Sequence, residues 1–273
     1  MMKSFAKTGA RLIHYVFFSF AIFSLAIGQN AQADLAHEYV LLAAAPYNLG
    51  SAPQGYNVIA QKKDPTSGFQ GVALLDGSGR SVVIAFAGTQ TSDFNDILAD
   101  VGISKAEMGQ VEIMLAKIIA SKLPQMTAKL AAELAQSNHK LKPVAPNAKL
   151  LAQLDTANKF FDEVALTHRG KNIVITGHSL GGYLAQSVAS RTGVQAVTFN
   201  APGASALKKG ENTNITNYMR EHDVVGMFGS HIGPVIKFPD VHPNLDPRDR
   251  YVIRNHSIQQ FATNLSQGLT PLK

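Results

Sequence analysis

The sequence predicts an α/β fold: a mostly parallel central sheet flanked by helices, with one helical insertion. Three observations carry that expectation. Asn172-Ile173-Val174-Ile175-Thr176 is a β-branched run that ends at Gly177, and a small-residue, helix-forming stretch and a second apolar run, Ala196–Asn200, follow. Strand, helix, strand at this spacing is a β-α-β unit, whose two strands lie parallel. Ser81–Ala87 is too apolar for a strand with one wet face, so it belongs inside a sheet covered on both sides. Finally, 273 residues with 45% hydrophobic content suffice for one sizeable core.

Taken in order, Leu35–Ala45 reads as a short helix, with Leu35, Tyr39, Leu42 and Ala43 on one face and Pro46 as its stop. Residues 50–55 are loop. Tyr56–Gln61, Phe69–Leu75 and Ser81–Ala87 read as strands, the last two joined through Asp76-Gly77-Ser78-Gly79, whose glycines suit a hairpin. Gly88–Asp100 then runs from the strand end into a polar loop and a short aspartate-capped helix. Such a strand-end loop is where α/β proteins place ligand contacts, although it also suits an ordinary connection. Over Lys105–Lys142 apolar residues from Val111 to Leu134 recur at helical spacing, with Pro124 expected to split the run in two. This insertion, 105–146, is either a helical lid over the site or a pair of helices packed on the sheet, since amphipathicity does not separate a lipid-facing stripe from a core-facing one. Ala148–Thr167 is a further amphipathic helix. Ile215–Met219 and Val235–Phe238 are later strands, and Ile258–Leu265 is a closing helix.

Composition narrows what the chain does. Cysteine is absent, which excludes disulfides, thiol chemistry and a lipoprotein anchor. Lys3, Lys7 and Arg11 precede the uncharged apolar run Tyr15–Ile27 and then Ala31-Gln32-Ala33, the pattern of a cleaved signal peptide. The run falls short of the roughly 18 apolar residues of a spanning helix. Residues 1–33 are therefore read as an export signal cut after Ala33, and 34–273 as a single secreted or periplasmic domain. Three of the 25 basic residues leave with the signal and none of the 19 acidic ones, which brings the formal charge from +6 to +3. With no basic cluster and no aromatic–basic interleaving, nucleic acid is not an expected partner.

The chemistry centres on Gly177-His178-Ser179-Leu180-Gly181, a G-x-S-x-G in strand–turn–helix context. This is the nucleophile elbow, in which the serine sits on a strained turn at a helix start and only small residues fit on either side. A serine hydroxyl is a weak nucleophile at neutral pH. It needs an imidazole to take its proton and a carboxylate to fix the imidazole tautomer. In α/β-hydrolases the partners follow in the order serine, acid, histidine. Asp223, just after the strand Ile215–Met219, fits the acid, with Glu221 its local rival and Asp240, Asp246 and Asp249 later ones. His256, before the closing helix, fits the base, with His231 and His242 as competitors. His178 is expected to pack beside the nucleophile, and His222 to point away if its segment is extended. His231, Asp240 and His242 match no metal-binding spacing, so neither metal nor cofactor is expected.

Together Gly177-His178-Ser179-Leu180-Gly181-Gly182, Phe86-Ala87-Gly88-Thr89, Asp96-Ile97-Leu98-Ala99-Asp100 and Asp223-Val224-Val225 resemble the class 3 (fungal-type) lipases, and bacterial lipase-like members in particular. The resemblance spans most of Tyr56–Ile258. It implies an α/β-hydrolase fold, a catalytic set of Ser179, Asp223 and His256, and an oxyanion hole from Thr89 and Leu180. Ala87 departs from the family pattern, which has arginine there. The expected activity is hydrolysis of lipid esters, acylglycerol or phospholipid, with transient contact at a membrane surface. A thioesterase or small-ester hydrolase is the alternative within enzymes, and a catalytically silent lipid-binding module the alternative outside them.

Overall fold

Successive side chains of a strand point to opposite faces, so an all-apolar strand needs cover on both sides. The computed structural model, which describes residues 31–88, 148–209, 214–223, 225–240 and 255–272, supplies that cover. Seven strands form one sheet in the order of the chain: β1 (Tyr56–Asp64), β2 (Phe69–Asp76), β3 (Ser81–Phe86), β4 (Asn172–His178), β5 (Gln195–Phe199), β6 (Ile215–Arg220) and β7 (Val235–Phe238). The first two pairings are antiparallel, and β3 through β7 are parallel. Val82, Ile84 and Phe86 of β3 pack into one core with α2 (Ala148–Thr167) and α3 (Leu180–Thr192). Val83 and Ala85 enter a second core with the helix α1 (residues 31–44) and α4 (Ile258–Ser266). A mostly parallel sheet with helices on both faces is the α/β-hydrolase architecture that the motifs imply.

The local reasons for each helix are visible. Ala36, Tyr39, Val40 and Ala43 are buried, a spacing of three and four that lays one stripe of α1 on the sheet. That helix begins earlier than its apolar stripe suggests and runs through the expected cut after Ala33; Gln32 Oε1 accepts a 2.7 Å hydrogen bond from Tyr218 Oη. The α-helix stops at Ala44, ahead of Pro46 as expected, and Pro46 sits in a 3-10 turn, Ala45–Tyr47, because proline is tolerated in a first turn. β1 extends three residues beyond its apolar part to Asp64, held there by pairing with β2. α3 ends at Gly193 in the left-handed conformation, φ 78°. α4 starts at Ser257, whose hydroxyl accepts from Gln260 N–H. Its buried Phe261 meets Phe199 and Phe238 at near-perpendicular angles, 5.6 and 5.2 Å between ring centres. Burying a ring of this size contributes about 1.5–3 kcal/mol, which fastens the helix that follows His256.

Because β3 to β6 are parallel, their carboxyl ends share one edge of the sheet. Gly88, Ser179, Asn200 and Asp223 follow those ends by one to three residues. This edge is where an open parallel sheet collects functional groups from distant parts of the chain. The expected 105–146 insertion, the Asp96–Asp100 segment, most of the expected signal peptide, and His242, Asp246 and Asp249 lie outside the described residues. Among the described residues no helix is long and apolar enough to cross a membrane.

Candidate active site

Ser179 caps α3 directly after β4, with φ 57° and ψ −130°. A side chain held at such angles costs about 1–3 kcal/mol, so the surroundings must hold it there. Its N–H donates to Phe199 O at 3.0 Å, and its carbonyl accepts from Gly182 and Tyr183 N–H. The flanking glycines have steric reasons. A Cβ on Gly177 would lie 2.5 Å from the Gly181 backbone, and one on Gly181 only 2.1 Å from Phe86 O on the neighbouring strand. Gly181→Ala is therefore expected to cost about 3 kcal/mol or more, at the upper end for overpacking. Gly193→Ala meets nothing within 4 Å and pays only for φ 78°, about 1 kcal/mol. Urea midpoints of the two variants check that order.

The three residues expected to cooperate lie together. His256 Nε2 is 2.9 Å from Ser179 Oγ, and His256 Nδ1 is 2.9 and 3.2 Å from the two oxygens of Asp223. A carboxylate can only accept, so Nδ1 carries the proton, which leaves Nε2 free to accept from the serine hydroxyl. Asp223 is fully buried, and its Oδ1 accepts from Gly226 N–H at 2.8 Å. The Arg220 guanidinium lies fully buried under the same loop. It donates to Gln260 O and Asn264 Oδ1 and covers the Phe261 ring at 4.9 Å. Burial pulls its pKa down to about 10, against the raising influence of the Asp223 and Asp240 carboxylates. Its Nε and Nη1 have no hydrogen-bond partner among the described residues.

The rival residues are placed elsewhere. His231 Nε2 donates to Ala201 O at 2.8 Å, which commits it to a loop. Glu221 Oε1 and Asp240 Oδ2 stand 4.0 and 3.8 Å from His222. His222 does not lie in the extended segment expected: its φ is 65°, a left-handed turn after β6. Of the two residues implied for the oxyanion hole, Thr89 lies outside the described residues. Leu180 is the first residue of α3, where an N–H has no carbonyl four residues back within the helix to bond. Gly88 and Leu180 also line a cavity of about 270 Å³ with Phe69, Gln70, Gln153 and Lys149.

Several polar groups that hold this edge carried no recognisable signal. Asn200, at φ 48°, donates through Nδ2 to Asn255 O at 2.7 Å and accepts from Arg220 N–H through Oδ1, joining the ends of β5 and β6 to the loop before α4. Gln186 Oε1 accepts from Ala204 and Ile232 N–H, while its Nε2 donates to Pro202 O. Tyr47 reaches the elbow from 131 residues away, with its hydroxyl 2.8 Å from His178 Nδ1. His178 is buried, and burial, then the neighbouring His256, hold its pKa well below 6.5. Burial also lowers His231.

Those depressed values fix a pH dependence of stability. Between the ordinary histidine value near 6.5 and the lower folded values, the unfolded chain binds more protons than the folded one. Stability is therefore full above about pH 6.5 and falls as the pH drops below it, by up to about 1.4 kcal/mol per pH unit for each histidine. Melting temperature should decline from pH 7 to pH 5, and His231→Gln should flatten the decline.

Comparison with known proteins adds to this geometry. Residues 152–226 match the Tle-like phospholipase domain family. A short stretch is 41% identical to the extracellular phospholipase A1 of Serratia liquefaciens, covering 20% of this chain and 22% of that relative's length. Among solved structures, lipase II from Rhizopus niveus is similar with a TM-score of 0.49 and 15% identity, over 85% of this chain and 93% of the lipase. The LIP2 lipase of Yarrowia lipolytica is similar with a TM-score of 0.48 and 16% identity, over 85% and 88% of the two chains. The stretch matched by the domain family holds most of α2, the elbow with Ser179, and Asp223.

Proposed function

We propose that the chain is an exported serine carboxylester hydrolase acting on lipid esters, with membrane phospholipid as its substrate class. The observation that carries this is the unbroken contact from Asp223 through His256 to Ser179 Oγ at a strained elbow. Ser179 attacks the ester carbonyl while His256 Nε2 takes its proton, and Asp223 keeps the proton on Nδ1 and stabilises the imidazolium. The oxyanion is held by the Leu180 N–H, with Thr89 as the second donor. Removing a donor of this kind costs about 10² to 10³ in rate. His256 then protonates the leaving alcohol, and water, deprotonated by His256, releases the acid from the acyl-enzyme.

Phospholipid is preferred over acylglycerol because the matched domain and the Serratia relative are both phospholipases by description. Export rests on the leader pattern of residues 1–33 and on that relative being extracellular. A panel of phosphatidylglycerol and phosphatidylethanolamine vesicles against a triacylglycerol emulsion tests the substrate class. Faster fatty-acid release from the vesicles is expected. Hydrolysis confined to short water-soluble esters or thioesters would replace this reading with the small-ester alternative.

A further inference from the structure

Tyr47 and His178 have no place in the three-residue chemistry, yet they touch both sides of it. Gly88 N–H donates to Tyr47 Oη at 2.9 Å, Tyr47 Oη lies 2.8 Å from His178 Nδ1, and His178 Nε2 lies 2.6 Å from the backbone carbonyl of His256. The directions of these bonds are determined. A carbonyl only accepts, so His178 carries its proton on Nε2 and accepts at Nδ1. Tyr47 must then donate to Nδ1, and its oxygen is free to accept from Gly88. One neutral tautomer and one hydroxyl rotamer satisfy all three bonds. A protonated His178 would turn Nδ1 into a donor, reversing its bond with the tyrosine hydroxyl and leaving the hydroxyl proton without this acceptor.

What the chain of bonds joins is more telling. Gly88 is the residue before Thr89 and packs against the nucleophile, for a Cβ on it would meet Ser179 Cβ at 2.8 Å and Tyr47 Oη at 2.6 Å. At the other end, the carbonyl being held belongs to His256 itself, and the two imidazole rings are 4.7 Å apart. The 3-10 turn after α1 thus ties the end of β3 to the loop before α4, across the elbow.

We infer that Tyr47 and His178 are positioning residues that set the strand-end backbone at Gly88 and the base His256 in register with Ser179, through the bonds Gly88 N–H to Tyr47 to His178 to His256 O. This rests on the proposed hydrolase reading. It gives the Ala45–Tyr47 turn a purpose that its sequence does not display. It also explains why a polar histidine stands at the end of β4, where burial alone would favour an apolar residue.

The test is a set of three variants assayed on a p-nitrophenyl ester, with melting temperatures measured alongside. Tyr47→Phe keeps the ring and loses only the hydroxyl, and His178→Leu removes the bond to His256. Both are expected to lower kcat by about 10- to 100-fold with KM unchanged, the scale of loss when reacting groups are misplaced by a fraction of an ångström to about 1 Å. His178→Gln, whose amide can still donate to the His256 carbonyl, should recover most of the His178→Leu loss. Wild-type kcat in Tyr47→Phe, or a glutamine variant as impaired as the leucine one, would overturn the inference and leave these residues as packing alone. Should Ser179→Ala retain activity, the hydrolase reading itself fails, a result distinct from either of those.

Discussion

Ser179→Ala is expected to remove ester hydrolysis down to about 10⁻⁴ or less of the wild-type rate, the scale seen when a triad nucleophile is lost. Stability should separate this variant from Ser179→Gly. At φ 57° and ψ −130° an alanine still bears the strain of the elbow, whereas glycine does not. Both variants should be inert, and the glycine variant should unfold at a higher urea concentration than the alanine one, by about 1 kcal/mol net of glycine's greater freedom in the unfolded chain. An alanine variant at least as stable as the glycine one would mean the serine is not strained. A nucleophile that costs the fold stability is what a site selected for chemistry shows.

Asp223→Asn is expected to lower kcat about 10⁴-fold with the fold retained, and the reason is the direction of two hydrogen bonds. Oδ1 accepts from Gly226 N–H at 2.8 Å, and Oδ2 faces His256 Nδ1 at 2.9 Å. An asparagine keeps the first bond by placing its carbonyl on Gly226, which turns its NH₂ toward Nδ1. That nitrogen must then accept, the proton moves to Nε2, and the imidazole can no longer take the serine's proton. Stability should change little, because a buried carboxylate is replaced by a neutral group of the same shape with the Gly226 bond intact. A single-turnover assay with a chromogenic ester measures the effect. A loss below about tenfold would show that some other carboxylate orients the base.

Much of the sheet was legible because its residues obey short-range rules. Ser81–Phe86 and Asn172–Thr176 are apolar runs of strand length, and both proved to be interior strands paired with each other, Ser81 opposite Asn172. The elbow was legible for a steric reason, since Gly177 and Gly181 are glycines that the backbone packing requires. Chain order made Asp223 and His256 the leading acid and base, because strand ends can be read from sequence, and the family resemblance chose them over Glu221, Asp240, Asp246, Asp249, His231 and His242. What the residues alone did not display depends on long-range contact. Tyr47 sits in Ala-Pro-Tyr after a helix, with nothing local to tie it to an elbow 131 residues on. The left-handed turn at His222 is set by how the loop after β6 folds back, since Asp223 N–H bonds to Arg220 O. Asn200 and Gln186 look like any strand-end or helix amide, and only their burial with both ends bonded marks them.

Ser179, activated by His256, is the nucleophile of the proposed reaction. Labelling the purified chain with a fluorophosphonate and locating the adduct by peptide mass spectrometry tests it most directly. A single covalent adduct on Ser179 is expected, formed at least about 10²-fold more slowly in His256→Ala, since general-base help of this kind contributes about 10²–10⁴. An adduct on another residue, or unchanged labelling in His256→Ala, would contradict it.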